Sequence, residues 1–211
     1  MAAVTEAIAR WVAEGCPRYN DHEVSITAAV LTPLREVVTE DGLEVVIDPE
    51  RVEWDEAILS GERDPMTAPR FDLSFRSFGQ APWQFTIECK RLGRGATARD
   101  YVEDGLLEFV DGSYAAAERW GGMLGYVVSG TPSQWQPRVN NVIDAHVALG
   151  PTHRLSQVAA ADSTRATYES THVRKKGAAL TLRHAWFGIG AELANAPAKP
   201  RAPREPLARA R

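Results

Sequence analysis

The sequence contains only two cysteines, Cys16 and Cys89. Two thiols cannot make a disulfide framework or a four-thiolate zinc or iron–sulfur site, and a reducing, cytoplasmic setting is the default expectation. Long apolar runs are missing too. A membrane-spanning helix needs about 20 apolar residues, whereas the longest uncharged stretch, 120–137, is full of Gly, Ser, Thr, Gln and Pro. No basic region followed by an apolar one opens the chain, so no signal peptide is expected. His22, His146 and His153 share no metal-ligand spacing, which argues against a zinc enzyme. No Gly-x-Ser-x-Gly elbow occurs, and the glycines of 121–125 lack the spacing and the Lys-Ser/Thr ending of a phosphate-cradling loop.

The residues that are present suit a globular protein. Of 211 residues, 44% are hydrophobic and 25% charged, enough for a core in roughly one domain or two small ones. The net charge of −4 does not announce a polyanion binder. It is unevenly spread: Lys199, Arg201, Arg204, Arg209 and Arg211 against Glu205 put 195–211 at +4 and leave the rest at −8. That Ala/Pro/Arg-rich segment has too few large apolar residues to offset its ordering entropy and is expected to be a disordered tail. Residues 1–194 then form a single domain. Any grip on a polyanion must come from local basic patches, a metal ion or the tail.

Periodicity sets the element order. A first helix is expected over 4–14 and a second from Asn20, with Asn20 as N-cap and Glu23 at capping-box spacing. Ile26, Val30, Leu34 and Val37 give the second helix a buried stripe, and Pro33 should kink or restart it, with Thr32 as cap. A strand is read at 43–47 and an irregular stretch to 69. The period then changes to two in Phe71-Asp72-Leu73-Ser74-Phe75-Arg76 and Phe85-Thr86-Ile87-Glu88-Cys89-Lys90, read as two half-buried strands joined by a turn at 79–82. Helices come next at 97–110 and 113–120, then a buried strand at 123–128 and a helix at 132–149. Strands at 167–174 and 179–187 close the order around a turn at Lys175-Lys176-Gly177. This predicts an α/β fold with a mixed sheet.

Alternation along a strand puts Glu88 and Lys90 on one face and Ile87 and Cys89 on the other. If the two strands pair, Asp72 joins Glu88 and Lys90 on the polar face. Neighbouring carboxylates repel, and a divalent cation relieves that repulsion. Mg²⁺ favours a couple of carboxylates, waters and substrate phosphate oxygens, and a lysine beside them can orient or deprotonate an attacking water. That chemistry is phosphodiester hydrolysis. The same alternation is also carried by solvent-facing hairpins, where ion pairs contribute about 0–1 kcal/mol each.

The run Ile87-Glu88-Cys89-Lys90-Arg91-Leu92, preceded by Arg70-Phe71-Asp72, resembles the PD-(D/E)xK nuclease superfamily, the restriction-endonuclease-like fold. The segments Tyr101-x-x-x-Gly105-x-x-x-Phe109-x-x-Gly112-x-Tyr114 and Gly122-Met123-Leu124-Gly125-Tyr126-Val127 resemble the stretches downstream of the catalytic strand in bacterial members. The resemblance implies a central mixed sheet flanked by helices on both sides. It implies a Mg²⁺ site, with Mn²⁺ as a substitute, made by Asp72, Glu88 and the main-chain carbonyl of Cys89. Lys90 would place the water and Glu23 would be an additional acid. The residue before Asp72 is Phe71 rather than Pro, which leaves Asp64-Pro65 as a poorer rival.

The expected function is therefore a Mg²⁺-dependent endonuclease acting on DNA, in bacterial restriction or antiviral defence. The alternatives are a catalytically silent nucleic-acid-binding or assembly subunit, and an RNA nuclease. Symmetric cutting of a duplex would need two sites, hence a homodimer. Ser170, His172 and Arg174, with Tyr168 on the same strand face, could grip phosphates together with Lys175, Lys176, Arg183 and His184; a plain solvated strand is the competing account. His184, between Leu182 and Trp186 at one parity, fits a satisfied core histidine better. Lys90, Arg91, Arg94 and Arg99 form a second basic cluster. Trp83 and Trp135 could stack on bases, while Trp54, Trp120 and Trp186 read as core or rim.

Overall fold

In the computed structural model, which describes residues 1–16, 22–52, 56–60, 62, 64, 66, 70–77, 82–174 and 178–191, apolar spacing of three to four builds two helices against one sheet face. Helix α1 (Ala2–Ala13) buries Val4, Ala7, Ile8 and Trp11 and ends at Gly15, whose φ of 81° the absence of a Cβ permits. Helix α2 (Glu23–Glu40) buries Ile26, Val30, Leu34, Val37 and Val38. It continues through Pro33 rather than restarting there. A buried proline costs a helix about 3 kcal/mol, and the apolar stripe on either side offsets it. His22, not Asn20, occupies the N-cap, and its side chain makes no cap. Asn20 lies outside the described residues. Glu23 is therefore the first helical residue, and its carboxylate is not spent on a capping box.

Strand β1 (Val46–Val52) lies later than the expected 43–47 and includes Pro49. It is an edge strand, where a missing N–H is tolerated. A short helix α3 (Glu56–Leu59) precedes β2 (Arg70–Arg76) and β3 (Gln84–Leu92). Thr97 caps the next helix in a capping box with Asp100. That helix is α4 (Ala98–Tyr101), a π-helical stretch Val102–Leu106, and α5 (Leu107–Val110). The helix expected at 113–120 does not form: Gly112 and Ala115 adopt φ of 87° and 53°, and the chain enters β4 (Trp120–Val127) instead. Helix α6 (Pro132–Ala145) and a 3₁₀ turn (Pro151–His153) lead to β5 (Ser156–Gln157), β6 (Arg165–His172) and β7 (Leu180–Gly188).

The seven strands form one mixed sheet in the order β1-β2-β3-β4-β7-β6-β5. Pairings β3–β4 and β4–β7 are parallel and the others antiparallel. One core cluster joins α1 and α2 to Leu73, Phe75, Ile87, Cys89, Leu124 and Tyr126. The other joins the α4–α5 helix and α6 to Phe71, Leu92, Met123, Val127, Tyr168 and Trp186. Helices thus cover both faces of a central mixed sheet, as the sequence leads one to expect of an α/β protein. Strands β2 and β3 are consequently not half-exposed: Ser74, Thr86 and Glu88 are buried along with their apolar neighbours. No helix among the described residues is long and apolar enough to cross a membrane.

Candidate active site

The site forms where β2 leaves β3. Their ladder runs from Arg76↔Gln84 to Leu73↔Ile87 and stops, so Asp72 and Glu88 are not backbone partners. On the other side of β2, Glu50 adopts a φ of 49°, and it and Asp72 drop out of the β1–β2 ladder while pairing continues on both sides. A non-glycine residue at such a φ is strained. Across this interruption Phe71 packs into the α5 layer, edge-on against Tyr114, whereas Leu73 and Phe75 face α1 and α2. The single polar face expected of this hairpin is therefore broken at Asp72.

Two carboxylates replace the missing strand partner. Cys89 donates its N–H to Asp72 Oδ2 at 2.7 Å, and Arg91 donates its N–H to Glu23 Oε2 at 2.5 Å. Glu23 can do this because it opens α2. Between them Lys90 extends its ammonium to Glu88 Oε1 in a very close ion pair, with Glu23 Oε1 at 3.6 Å. Glu88 is 4% exposed, and its Oε2 has no hydrogen-bond partner among the described residues. Glu23, Asp72, Glu88 and Lys90 thus share one corner of the sheet, three acids to one amine.

The electrostatics of this corner are set by burial. Burial, and then the neighbouring Asp72 charge, pushes the Glu88 carboxyl up to about 8. Burial also raises Asp72 and Glu23 above the usual carboxylate range, against the hydrogen bonds they accept. Burial disfavours the Lys90 charge, but Glu88 and Glu23 more than compensate, so its pKa rises and it stays an ammonium. With every group ionised the corner would carry −2, the complement of a divalent cation. No three His, Cys, Asp or Glu side chains among the described residues converge as a ready metal cage. Mg²⁺ does not ask for one, since one or two carboxylates with waters and phosphate oxygens suffice. The unpartnered Glu88 oxygen is the donor such an ion would take. The Cys89 thiol is fully buried and its pKa is pushed well up, so it is no nucleophile.

The Ser170, His172 and Arg174 part of the phosphate grip expected on β6 is not available to a ligand. Tyr168, Ser170, His172 and Arg174 do share a face, but it is the inner one, with Ser170 3%, His172 0% and Arg174 7% exposed. Arg174 gives its guanidinium to the carbonyls of Ala178, Ala115, Ala116 and Glu118 at 2.7–3.1 Å. The reason is that α5, α6 and the 111–119 loop cover this side of the sheet. Lys175 and Lys176 lie outside the described residues, as do Pro65, Trp54 and the 195–211 tail. Trp135 is buried, its indole N–H donating to the Ser129 carbonyl, so it cannot stack on bases. Trp83 and also Trp120 are half-exposed, whereas Trp186 is core. Asp64 is exposed and accepts the N–H of Met66.

Sequence reasoning missed the role of the buried face. Trp186 Nε1 can only donate, here to Tyr101 Oη at 2.9 Å, so the Tyr101 proton goes to His184 Nδ1 at 2.8 Å. His184 Nε2–H then donates to Ser170 Oγ, Ser170 to His172 Nε2, and His172 Nδ1–H to His153 Nδ1, each at 2.7 Å. Every link is satisfied with neutral rings. Burial, helped by neighbouring charge, pushes His172 and His184 down to about 3. The alternation of polar residues on β6 and β7 signals a shared face, but not which layer covers it. Neither a protein-family model, nor a curated protein, nor a solved structure matches this chain.

Proposed function

We propose that the protein is a Mg²⁺-dependent endonuclease acting on DNA, a restriction-endonuclease-like enzyme of the PD-(D/E)xK kind serving restriction or antiviral defence. The observation that carries this is the corner itself: a buried Glu88 and the half-buried Asp72 and Glu23 around one lysine, with one Glu88 oxygen unpartnered among the described residues. The order from α2 through three antiparallel strands and the α4–α5 helix to β4 supports it. Asp72, Glu88 and the Cys89 carbonyl would hold the ion, with Glu23 as outer acid and Mn²⁺ as a substitute. A bound divalent ion would lower the pKa of an attacking water and stabilise negative charge on the scissile phosphate and the leaving oxygen.

The protein's own residues do the rest. Lys90 remains charged, so it orients the attacking water or a phosphate oxygen as a donor and does not act as a base. Asp72 and Glu23 hold the two β3 N–H groups and so fix the strand that carries Glu88 and Lys90. Arg91, Arg94 and the exposed Arg99 come directly after that strand's acidic positions and supply cationic contacts to the phosphate backbone within an otherwise acidic body.

One observation favours a second reading, a silent nucleic-acid-binding or assembly subunit: Lys90 already closes on Glu88. Plasmid DNA and an RNA of equal length, incubated with Mg²⁺, Mn²⁺ or EDTA, separate these. Metal-dependent cutting that disappears in Glu88→Ala and Lys90→Ala supports the enzyme. Binding with no cutting under either ion overturns it, and cutting of RNA alone reassigns the substrate. Sedimentation of the protein with and without duplex tests for the homodimer that symmetric cutting requires.

A further inference from the structure

The π-helical stretch between α4 and α5 places Gly105, a buried residue, directly over the stem of Lys90. A Cβ at Gly105 would stand 3.2 Å from Lys90 Cε, 3.3 Å from Lys90 Cγ and 2.7 Å from Met123 Cε. Gly105 does not adopt a positive φ, so its backbone conformation would accept any residue. Glycine is a poor helix former, and space is what explains it here. The Met123 methyl is the free end of a flexible chain and can swing aside. The Lys90 stem cannot move cheaply, because its ammonium is held by Glu88 and Glu23. π-Helical turns inside α-helices recur at functional sites, and this one brings bare backbone against the lysine.

We propose that Gly105 is a positioning residue: the absence of a side chain there lets Lys90 take the one path that delivers its ammonium to Glu88. The inference rests on the nuclease reading for its kinetic consequence but not for its structural one. Gly105→Ala pushes the stem aside by a few tenths of an ångström and moves the ammonium off Glu88. Small misplacements of a positioned group cost up to about 100-fold in rate. The expected result is a fall of roughly 10- to 100-fold in kcat for plasmid cleavage with KM for DNA unchanged, since Gly105 is buried.

A purely structural glycine would behave differently. It would lower the melting temperature and leave the kcat of the folded protein alone. Met123→Ala in the Gly105→Ala background removes the shortest contact and keeps the variant foldable. If Lys90 is what matters, kcat stays low in the double variant; if kcat returns to that of Met123→Ala, the proposal is overturned. A crystal structure of Gly105→Ala, or of the double variant, decides the point without any activity. Lys90 Nζ displaced from Glu88 Oε1 upholds the proposal even if the protein cuts nothing, and Lys90 unmoved overturns it even if the protein is a nuclease.

Discussion

Replacing Glu88 by glutamine should make the metal-free protein more stable while abolishing its proposed activity. A free glutamate titrates near 4.5, and the folded protein pushes Glu88 up to about 8. Because the folded value lies above the unfolded one, the carboxyl's stabilising contribution is complete below pH 4.5 and is lost as pH rises through about 8. At pH 7 the interval above 4.5 corresponds to about 3 kcal/mol lost relative to a side chain that cannot ionise. Glutamine also removes the nearest partner of Lys90, but Glu23 stays at 3.6 Å and Asp72 is close enough to favour the ammonium, so a net gain of about 2 kcal/mol is expected. For a domain of this size that is roughly 4–8 °C in Tm. The assay is thermal or urea unfolding of parent and Glu88→Gln in EDTA at pH 7 and again at pH 4. The gain should be present at pH 7 and absent at pH 4, where losing the Lys90 partner leaves the variant slightly less stable than the parent. Adding Mg²⁺ should stabilise the parent alone, by about 2.7 kcal/mol at one hundred times its Kd. A variant no more stable than the parent at pH 7, or a gain that survives at pH 4, would refute the electrostatic account of the corner.

Mg²⁺ binding and metal-dependent cleavage should both rise with pH across the range centred on about 8, because Glu88 must give up its proton to hold the ion; calorimetry at pH 6.5, 8 and 9 showing no trend would contradict this. Tyr101→Phe deletes one oxygen yet leaves Trp186 Nε1 and His184 Nδ1 without partners in the core, and should cost about 2–4 kcal/mol by urea unfolding. Arg174→Lys cannot reproduce a fork that serves four main-chain carbonyls and should cost about 2 kcal/mol, with no change in the salt dependence of DNA binding. A flattened salt slope in that variant would reinstate Arg174 as a phosphate contact.

The elements that sequence made legible are those whose apolar period is unbroken. Leu73, Ile87, Met123, Val139 and Ile143 reach the core on the expected strands and helix, and Lys90 pairs with Glu88 and Glu23 while Asp72 accepts the N–H of Cys89 between them. The features that could not be read have a common physical cause. Alternation states which residues share a face but not whether a helix covers it, so Ser170, His172 and Arg174 read as solvent-facing although α6 and the 111–119 loop lie over them. Propensity likewise treats Pro33 and Pro49 as breaks, although a buried stripe and an edge position respectively tolerate them. The hydrogen bonds of Asp72 and Glu23 to β3 depend on the divergence of β2, which no local pattern records.

The two polar clusters differ in a way that bears on which one performs chemistry. From Trp186 to His153 each buried donor meets an acceptor, the rings are neutral, and nothing is gained by admitting a ligand; such a network fixes a core. The Glu88 corner is the opposite. It contains a buried carboxylate oxygen with no partner among the described residues, three acids whose ionisation burial opposes, a strained Glu50 beside Asp72, and a glycine within a helix. Each feature lowers stability, and all of them meet around one strand end. Local rules broken together in one place are what the proposed site would show if its stabilising partner came from outside the chain. On the proposed reading a divalent cation would be that partner, bringing the positive charge that Lys90 alone cannot supply.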